Sequence, residues 1–476
     1  MLTHKTLSLE VTPLYDTIGM LAEDESVHFS ATVSAKDIPC DDDSRRAPVD
    51  IIVALDTSGS MRGEKLRLCK ETLKLLLREL GPNDRFGLVT FGSSAIIRIP
   101  VCNMTIENKE ASITKINSVC VSGQTNLSGG IGLAAQEMNS IKKPNDVCSL
   151  FLLTDGHANV GVVDNSGIVQ LTKGCLSAPD EKHEERSIPI HCFGYGSDHD
   201  GDLLRDMSQA NEGSTYYFVS DDSDVSSAFG DALGGVLSVV AQNLTLTIMA
   251  PLHGYESQGN SLVKIYHDNA QKVVDGSAYQ INIGDLYAEE SRDVVFEVSL
   301  ATNDIKDYSC VPHVTVSMTY LDTIEKTLVE VDSIIGSIGR PKESRFRSPS
   351  NRHVNIQCLR IKTAKVMAES EHMAKNGDFS RAKTKIGEWT KELRKESFDA
   401  QEDNGLHEQL LCDLNIIHSG LGSRTDYEAK GSYILKSKQL THKMQRCSEA
   451  KASSINSYRS SKKAAMSSKF SKNFSG

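Results

Sequence analysis

Val49-Asp50-Ile51-Ile52-Val53-Ala54-Leu55-Asp56-Thr57-Ser58-Gly59-Ser60, residues 49–60, opens the part of the chain from which its architecture can be read. The first seven residues form a nearly continuous apolar run, the pattern of a strand covered on both faces rather than one. The next segment places Leu66, Cys69, Leu73, Leu76, Leu77 and Leu80 on one helical stripe. Gly81-Pro82-Asn83-Asp84 ends that helix, and Arg85 to Phe91 reads as a second strand.

The alternation continues outward from there. Helices are expected near 107–118 and 127–141, buried strands at Ser149–Thr154 and Ile188–Tyr195, and a short helix at Asp202–Ala210. A strand at Thr215–Val219 and a helix at 223–240 follow. This grammar predicts an α/β fold, a doubly wound, mostly parallel sheet with helices on both sides, over residues 48–240. Beyond it the apolar period falls to two, at Leu244, Leu246 and Ile248, then Val294, Phe296 and Val298, and through His313–Tyr320. A β-sandwich domain is therefore expected over 243–338. Residues 1–46 hold two alternating stretches, Leu7–Val11 and Val27–Val33, expected to join that sandwich, because edge strands left unpaired are a liability. A C-terminal helical extension is predicted over 352–447, with Asn376-Gly377-Asp378 between its first two helices. The Ser/Lys-rich stretch 448–476 reads as a disordered tail.

Asp56-Thr57-Ser58-Gly59-Ser60 follows the first strand directly, at the end where parallel sheets place ligands. One carboxylate and two hydroxyls at short spacing offer hard oxygens suited to Mg²⁺ or Mn²⁺. Gly123-Gln124-Thr125-Asn126 adds a hydroxyl from a loop before a helix, and Leu152-Leu153-Thr154-Asp155-Gly156 ends another strand in a carboxylate. Together the three segments resemble the metal-ion-dependent adhesion site of von Willebrand factor A and integrin-type domains. The resemblance implies that Ser58, Ser60 and Thr125 contact the metal directly or through water, and that Asp56 and Asp155 supply charge. It also implies one open coordination position, filled by a partner's Asp or Glu.

Phe193-Gly194-Tyr195-Gly196-Ser197-Asp198-His199-Asp200, Gly213-Ser214-Thr215-Tyr216-Tyr217-Phe218 and Leu237-Ser238-Val239-Val240-Ala241-Gln242-Asn243 resemble later strands of one subfamily. It contains intracellular and inter-alpha-inhibitor-like proteins, and plant ubiquitin ligases of the wavy-growth type share its layout. Those ligases carry a RING finger, and no RING-type Cys/His series is present in these 476 residues.

Other signals carry less. Gly130-Ile131-Gly132-Leu133-Ala134-Ala135 matches a dinucleotide fingerprint but does not directly follow a strand, so close helix packing explains it better. Asp198-His199-Asp200-Gly201-Asp202 lacks the loop of an EF-hand and reads as a helix N-cap. His157 has no nucleophile elbow to serve.

A net charge of −11 argues against broad binding to nucleic acid or anionic membrane. No apolar run approaches the ~18 residues of a membrane span. Eleven cysteines without a CxxC pair, behind a start that shows no secretory signal, suggest a cytoplasmic protein. The expected function is non-enzymatic: cation-dependent capture of an acidic residue on a protein partner. The alternative is a scaffold or substrate-recruiting adaptor in a ubiquitin-ligase or AAA-type ATPase complex.

Overall fold

The computed structural model describes residues 2–3, 6–22, 24–37, 46–155, 157–180, 183–196, 199–219, 222–250, 262–273, 278–300, 309–396, 405–447 and 457–474. Its central unit is a six-stranded sheet. The strand order is Thr215–Val219, Ile190–Tyr195, Val147–Thr154, Val49–Asp56, Arg85–Phe91 and Ala95–Asn103. All neighbours are parallel except the last, which returns antiparallel to Arg85–Phe91.

Every residue of Val49–Asp56 is buried, because alternate side chains enter different cores. Val49, Ile51, Val53 and Leu55 face the helix Glu64–Glu79 and the helix Asp222–Val236. Ile52 and Ala54 face Leu127–Asn139 and its neighbours on the other side. Asp50 interrupts the run without penalty: Arg85 and the backbone and side-chain amides of Asn145 hydrogen-bond its carboxylate.

Sequence periodicity missed the edge strand Ala95–Asn103 and the helix Asn165–Leu176. It also ran the helix before the sandwich too far. That helix ends at Val236, and Val239 already begins a strand.

Two five-stranded sheets form the sandwich. One holds Leu2–Thr3, Leu7–Pro13, Ser26–Ala35, Ser291–Ser299 and Leu262–Ile265, in that order. The other holds Ala270–Lys272, Ala278–Tyr287, Val239–Met249, Val311–Asp322 and Thr327–Ile338. Leu9, Phe29 and Phe296 from the first meet Leu246, Ile281 and Val316 from the second in one apolar core. Ser26–Ala35 pairs antiparallel with Ser291–Ser299, Phe29 opposite Phe296, so the six-stranded unit lies between two adjacent strands of the sandwich.

The helices Arg352–Lys375, Phe379–Leu393, Leu406–Gly420 and Ser432–Met444 follow. Asn351 caps the first and Asp378 the second, each through a side-chain oxygen to a backbone amide.

The tail corrects the sequence reading. Residues 448–456, 475 and 476 lie outside the described residues, but Ser461–Phe474 is a helix laid against Asp222–Val236. Gly230 and Gly234 make the close approach possible. A Cβ at Gly230 would come within 2.8 Å of the Met466 carbonyl, and one at Gly234 within 2.9 Å of the Lys463 Cα. Lys463 and Arg459 pair with the buried Asp231, at 2.9 and 3.0 Å. The helix is held by close backbone approach, by ion pairs and by Phe470 and Met466 packed into the central core, which a Ser/Lys-rich composition does not announce.

Candidate metal centre

Val49–Asp56 and Val147–Thr154 are adjacent and parallel, so their carboxyl ends deliver Asp56 and Asp155 to the same sheet edge. The loop after Asp56 is shaped by its own carboxylate: Oδ1 accepts the Ser58 amide at 2.8 Å. A short 3-10 turn, Gly59–Met61, then points Met61 into the core and leaves Gly59 and Ser60 exposed. The Ser58 and Ser60 hydroxyls lie 3.0 Å apart, and the Ser60 hydroxyl donates to Asp155 Oδ1 at 2.8 Å. Four of the five expected residues thus form one hydrogen-bonded chain.

Thr125 arrives by a different route. The Gly59 amide donates to the Gly123 carbonyl at 3.1 Å, which fastens the two loops together. Gly123 has φ +67° and lies against Ser93, where a Cβ would fall 2.2 Å from the hydroxyl oxygen, so the turn needs glycine. Asn159 then brackets the buried Thr125, accepting its amide at 2.8 Å and donating to its carbonyl at 3.0 Å. Among the described residues no hydrogen bond joins the Thr125 hydroxyl to the other four.

Asp56 is fully buried. Burial pushes its carboxyl above the ordinary carboxylate range, and the Thr154 hydroxyl and the Ser58 amide offset this only in part; nearby Asp155 pushes the same way as burial. Thr154 donates to Oδ2 at 2.6 Å. Asp56 therefore has neutral donors around it, and a cation at this edge would relieve the cost of ionising it. The donor set fits a hard divalent ion: carboxylate and hydroxyl oxygens, with no trio of His, Cys, Asp or Glu among the described residues.

Asp155 differs. Its Oδ2 is ion-paired with the Lys65 ammonium, on the first turn after the loop, while Oδ1 keeps Ser60. Sequence reasoning missed Lys65 because it looked for oxygen donors. The signal available was a lysine five residues beyond Ser60, at the start of the helix Glu64–Glu79.

The signals set aside resolve simply. Gly130 packs on the Phe91 ring, where a Cβ would come within 2.4 Å of a ring carbon. Asp200 caps the helix Gly201–Ala210 through the Leu203 amide. His157 is an exposed rim residue 3.8 Å from Asp200, and Gly156 and Asp198 lie outside the described residues.

Residues 50–231 match the family described as the von Willebrand factor type A domain. Among curated proteins, the E3 ubiquitin-protein ligase WAV3 of Arabidopsis thaliana is 26% identical over 269 residues, 56% of this chain and 33% of that protein. Inter-alpha-trypsin inhibitor heavy chain H1 of Bos taurus is 29% identical over 170 residues, 34% of this chain and 18% of that one. The matched stretch therefore spans a third or less of either relative.

Among solved structures, a von Willebrand factor type A protein from Catenulispora acidiphila superimposes with a TM-score of 0.66 at 16% identity, covering 87% of this chain and 89% of its own. The ArnB paralog VWA2 from Sulfolobus acidocaldarius gives 0.56 at 13% identity, covering 90% and 98%. At these identities the likeness is one of fold.

Proposed function

We infer, for a chain that is a von Willebrand factor type A domain protein, that Asp56, Ser58, Ser60, Thr125 and Asp155 hold Mg²⁺ or Mn²⁺ and that this edge captures a carboxylate of a protein partner. The carrying observation is how the two carboxylates are spent. Asp56 is buried among neutral donors, while Asp155 already shares its charge with Lys65. The site thus offers close to one uncompensated negative charge and otherwise neutral hydroxyls. A divalent ion held there supplies Lewis acidity toward an external Asp or Glu, because its own ligands leave it under-neutralised. Ser60 and Gly59 are exposed, so a partner can reach this edge.

Domains of this type serve generally as interaction modules, which supports a role without turnover. The domain division stated above belongs to the same proposal, as does a cytoplasmic location, which rests on the cysteine usage. The decisive experiment is titration calorimetry with Mg²⁺ and Mn²⁺ on the protein and on Asp56→Ala and Asp155→Ala. Binding that survives in both variants at full strength overturns the assignment.

A second reading has its own support. Similarity to WAV3 covers 269 residues, well beyond the domain at 50–231, and similarity to a second Arabidopsis thaliana ligase, WAVH1, covers 71% of this chain. A matched stretch of that length extends beyond the domain itself, which supports a substrate-recruiting scaffold in a ligase complex as the second reading. Co-purification with a ubiquitin ligase, retained in EDTA, would favour that role over metal-dependent capture.

A further inference from the structure

A cleft of about 580 Å³ lies between the sandwich and the helices Arg352–Lys375 and Phe379–Leu393, remote in sequence from the metal edge. Its apolar lining comes from Val295, Ile361, Val366 and the Tyr266 ring. Its charged lining is one-sided. Lys264 enters from the edge strand Leu262–Ile265, Lys362 and Lys365 from the first helix, and Lys385 from the second. Glu369 is the one carboxylate in the lining among the described residues, and it is paired with Lys385.

Lys264, Lys362 and Lys365 are left without an ion-pair partner among the described residues. Two of them rest on rings: Lys264 stands 4.7 Å from the Tyr266 centroid and Lys362 4.3 Å from that of Trp389. Such contacts fix where an ammonium sits while leaving N–H donors for a ligand. Glu297 stands opposite Lys264 across the strand pair and accepts from the Tyr266 hydroxyl, so the surplus of positive charge here comes chiefly from Lys362 and Lys365, in a chain whose net charge is −11. His28 and Cys358, also in the lining, do not offset them: burial lowers the imidazole's pKa and pushes the thiol up to about 11, so both stay uncharged near neutral pH.

We propose that this cleft binds an amphipathic organic anion, with its apolar body against Val295, Ile361, Val366 and Tyr266 and its carboxylate or phosphate among Lys264, Lys362 and Lys365. The volume falls within the range of small-molecule sites, which favour seams between structural units. Lysine suits such a head group: three rotatable donors on a flexible stem accept varied anion geometry where arginine would demand a planar fork. The alternative, that the lysines merely decorate a solvated face, leaves the buried Val295 floor and the ring-anchored ammoniums without a role.

The test uses the full chain and sodium decanoate below its micelle concentration, followed by calorimetry, with inorganic phosphate as the second probe. Decanoate is expected to bind and phosphate to bind much more weakly. Lys362→Glu combined with Lys365→Glu should weaken decanoate at least roughly tenfold, from two exposed positions whose reversal spares the core. Lys264→Ala, on the strand wall, should weaken it as well and keeps the test alive if the double variant does not fold. Lys391→Glu, exposed on the second helix and outside the lining, should change nothing. Absence of decanoate binding, equal affinity for phosphate, or indifference to both lysine variants overturns the proposal.

Discussion

The edge that carries Asp56 and the seam around Glu290 both bury carboxylates, and they treat the charge in opposite ways. At the seam Glu290 takes Arg292 at 2.7 Å and Arg446 at 3.0 and 3.1 Å. Arg446 also donates to the Gly213 carbonyl of the central unit and the Asp285 carbonyl of the sandwich, and its guanidinium lies 4.0 Å from the Tyr287 ring centroid. One guanidinium from the helical extension thus ties three units together, and the Glu290 charge is met from inside the protein. At the metal edge Asp56 has only neutral donors and Asp155 one partly exposed lysine. A closed ionic site holds the fold together; an open one waits for a charge from outside.

Breaking the closed site should have the largest effect. Glu290→Ala leaves two buried guanidiniums unbalanced and is expected to cost about 3–5 kcal/mol in urea unfolding. The pH dependence has a definite sign. Burial opposes ionisation of Glu290, but Arg292 and Arg446 outweigh it and hold the carboxyl at about 2. A depressed folded value means the stabilisation is complete above the unfolded value, about 4.3, and is lost as pH falls towards 2. Stability measured between pH 5 and 2 should therefore fall more steeply in the protein than in Glu290→Gln.

The open site should answer in the other currency. Asp56→Ala is expected to weaken Mg²⁺ roughly a hundredfold, about 2.7 kcal/mol, while stability in EDTA falls by about 1–2 kcal/mol, the lost acceptor for Ser58 and Thr154 being offset in part because burial already disfavours that charge. A loss in EDTA matching that of Glu290→Ala would erase the distinction between the sites.

Lys65→Met sharpens the comparison further. Freed of its ammonium, Asp155 should tighten Mg²⁺ roughly fivefold, about 1 kcal/mol for a pair one-third exposed on the lysine side. The same change should weaken capture of a partner carboxylate, since the ion would be better neutralised. Unchanged calorimetry would show that Lys65 leaves the site when metal arrives.

The smallest effect is expected at His353, whose imidazole is raised by its 2.6 Å hydrogen bond to Asp293. A raised folded value stabilises below the unfolded value, about 6.5, and the gain is lost as pH rises through the folded one. With the ring partly exposed, screening holds it under about 1 kcal/mol. His353→Gln should flatten unfolding free energies measured from pH 6 to 9.

What could be read beforehand follows the same division. Val49–Asp56 was legible because a parallel strand covered on both faces writes its burial as one continuous apolar run. Asp56, Ser58, Ser60 and Asp155 could be grouped from the sequence because the ends of such strands lie at one edge, where hydrogen bonds join them; Thr125 comes on a separate loop. Long-range ionic contacts leave no local pattern: nothing around Arg446 announces Glu290, and nothing around Lys463 announces Asp231. Ala95–Asn103 turns Ile97, Ile99 and Val101 inward in alternation, but the exposed Ile96 and Pro100 beside them blur that period in the sequence.

The pairing of Ser26–Ala35 with Ser291–Ser299 also has a consequence in time. These partners lie roughly 260 residues apart, so on a ribosome adding about 5–20 residues per second the first waits roughly 13 to 50 s for the second. Until Val239–Met249 emerges, Leu2–Thr3, Leu7–Pro13 and Ser26–Ala35 have no strand of the sandwich to cover Val27, Phe29, Ala31 and Val33, and until Ser291 the edge of Ser26–Ala35 stays unpaired. The inserted unit, whose strands all lie between residues 49 and 219, can close its sheet first. Nascent chains stalled before residue 291 should therefore carry a folded centre and a chaperone-accessible leading hairpin.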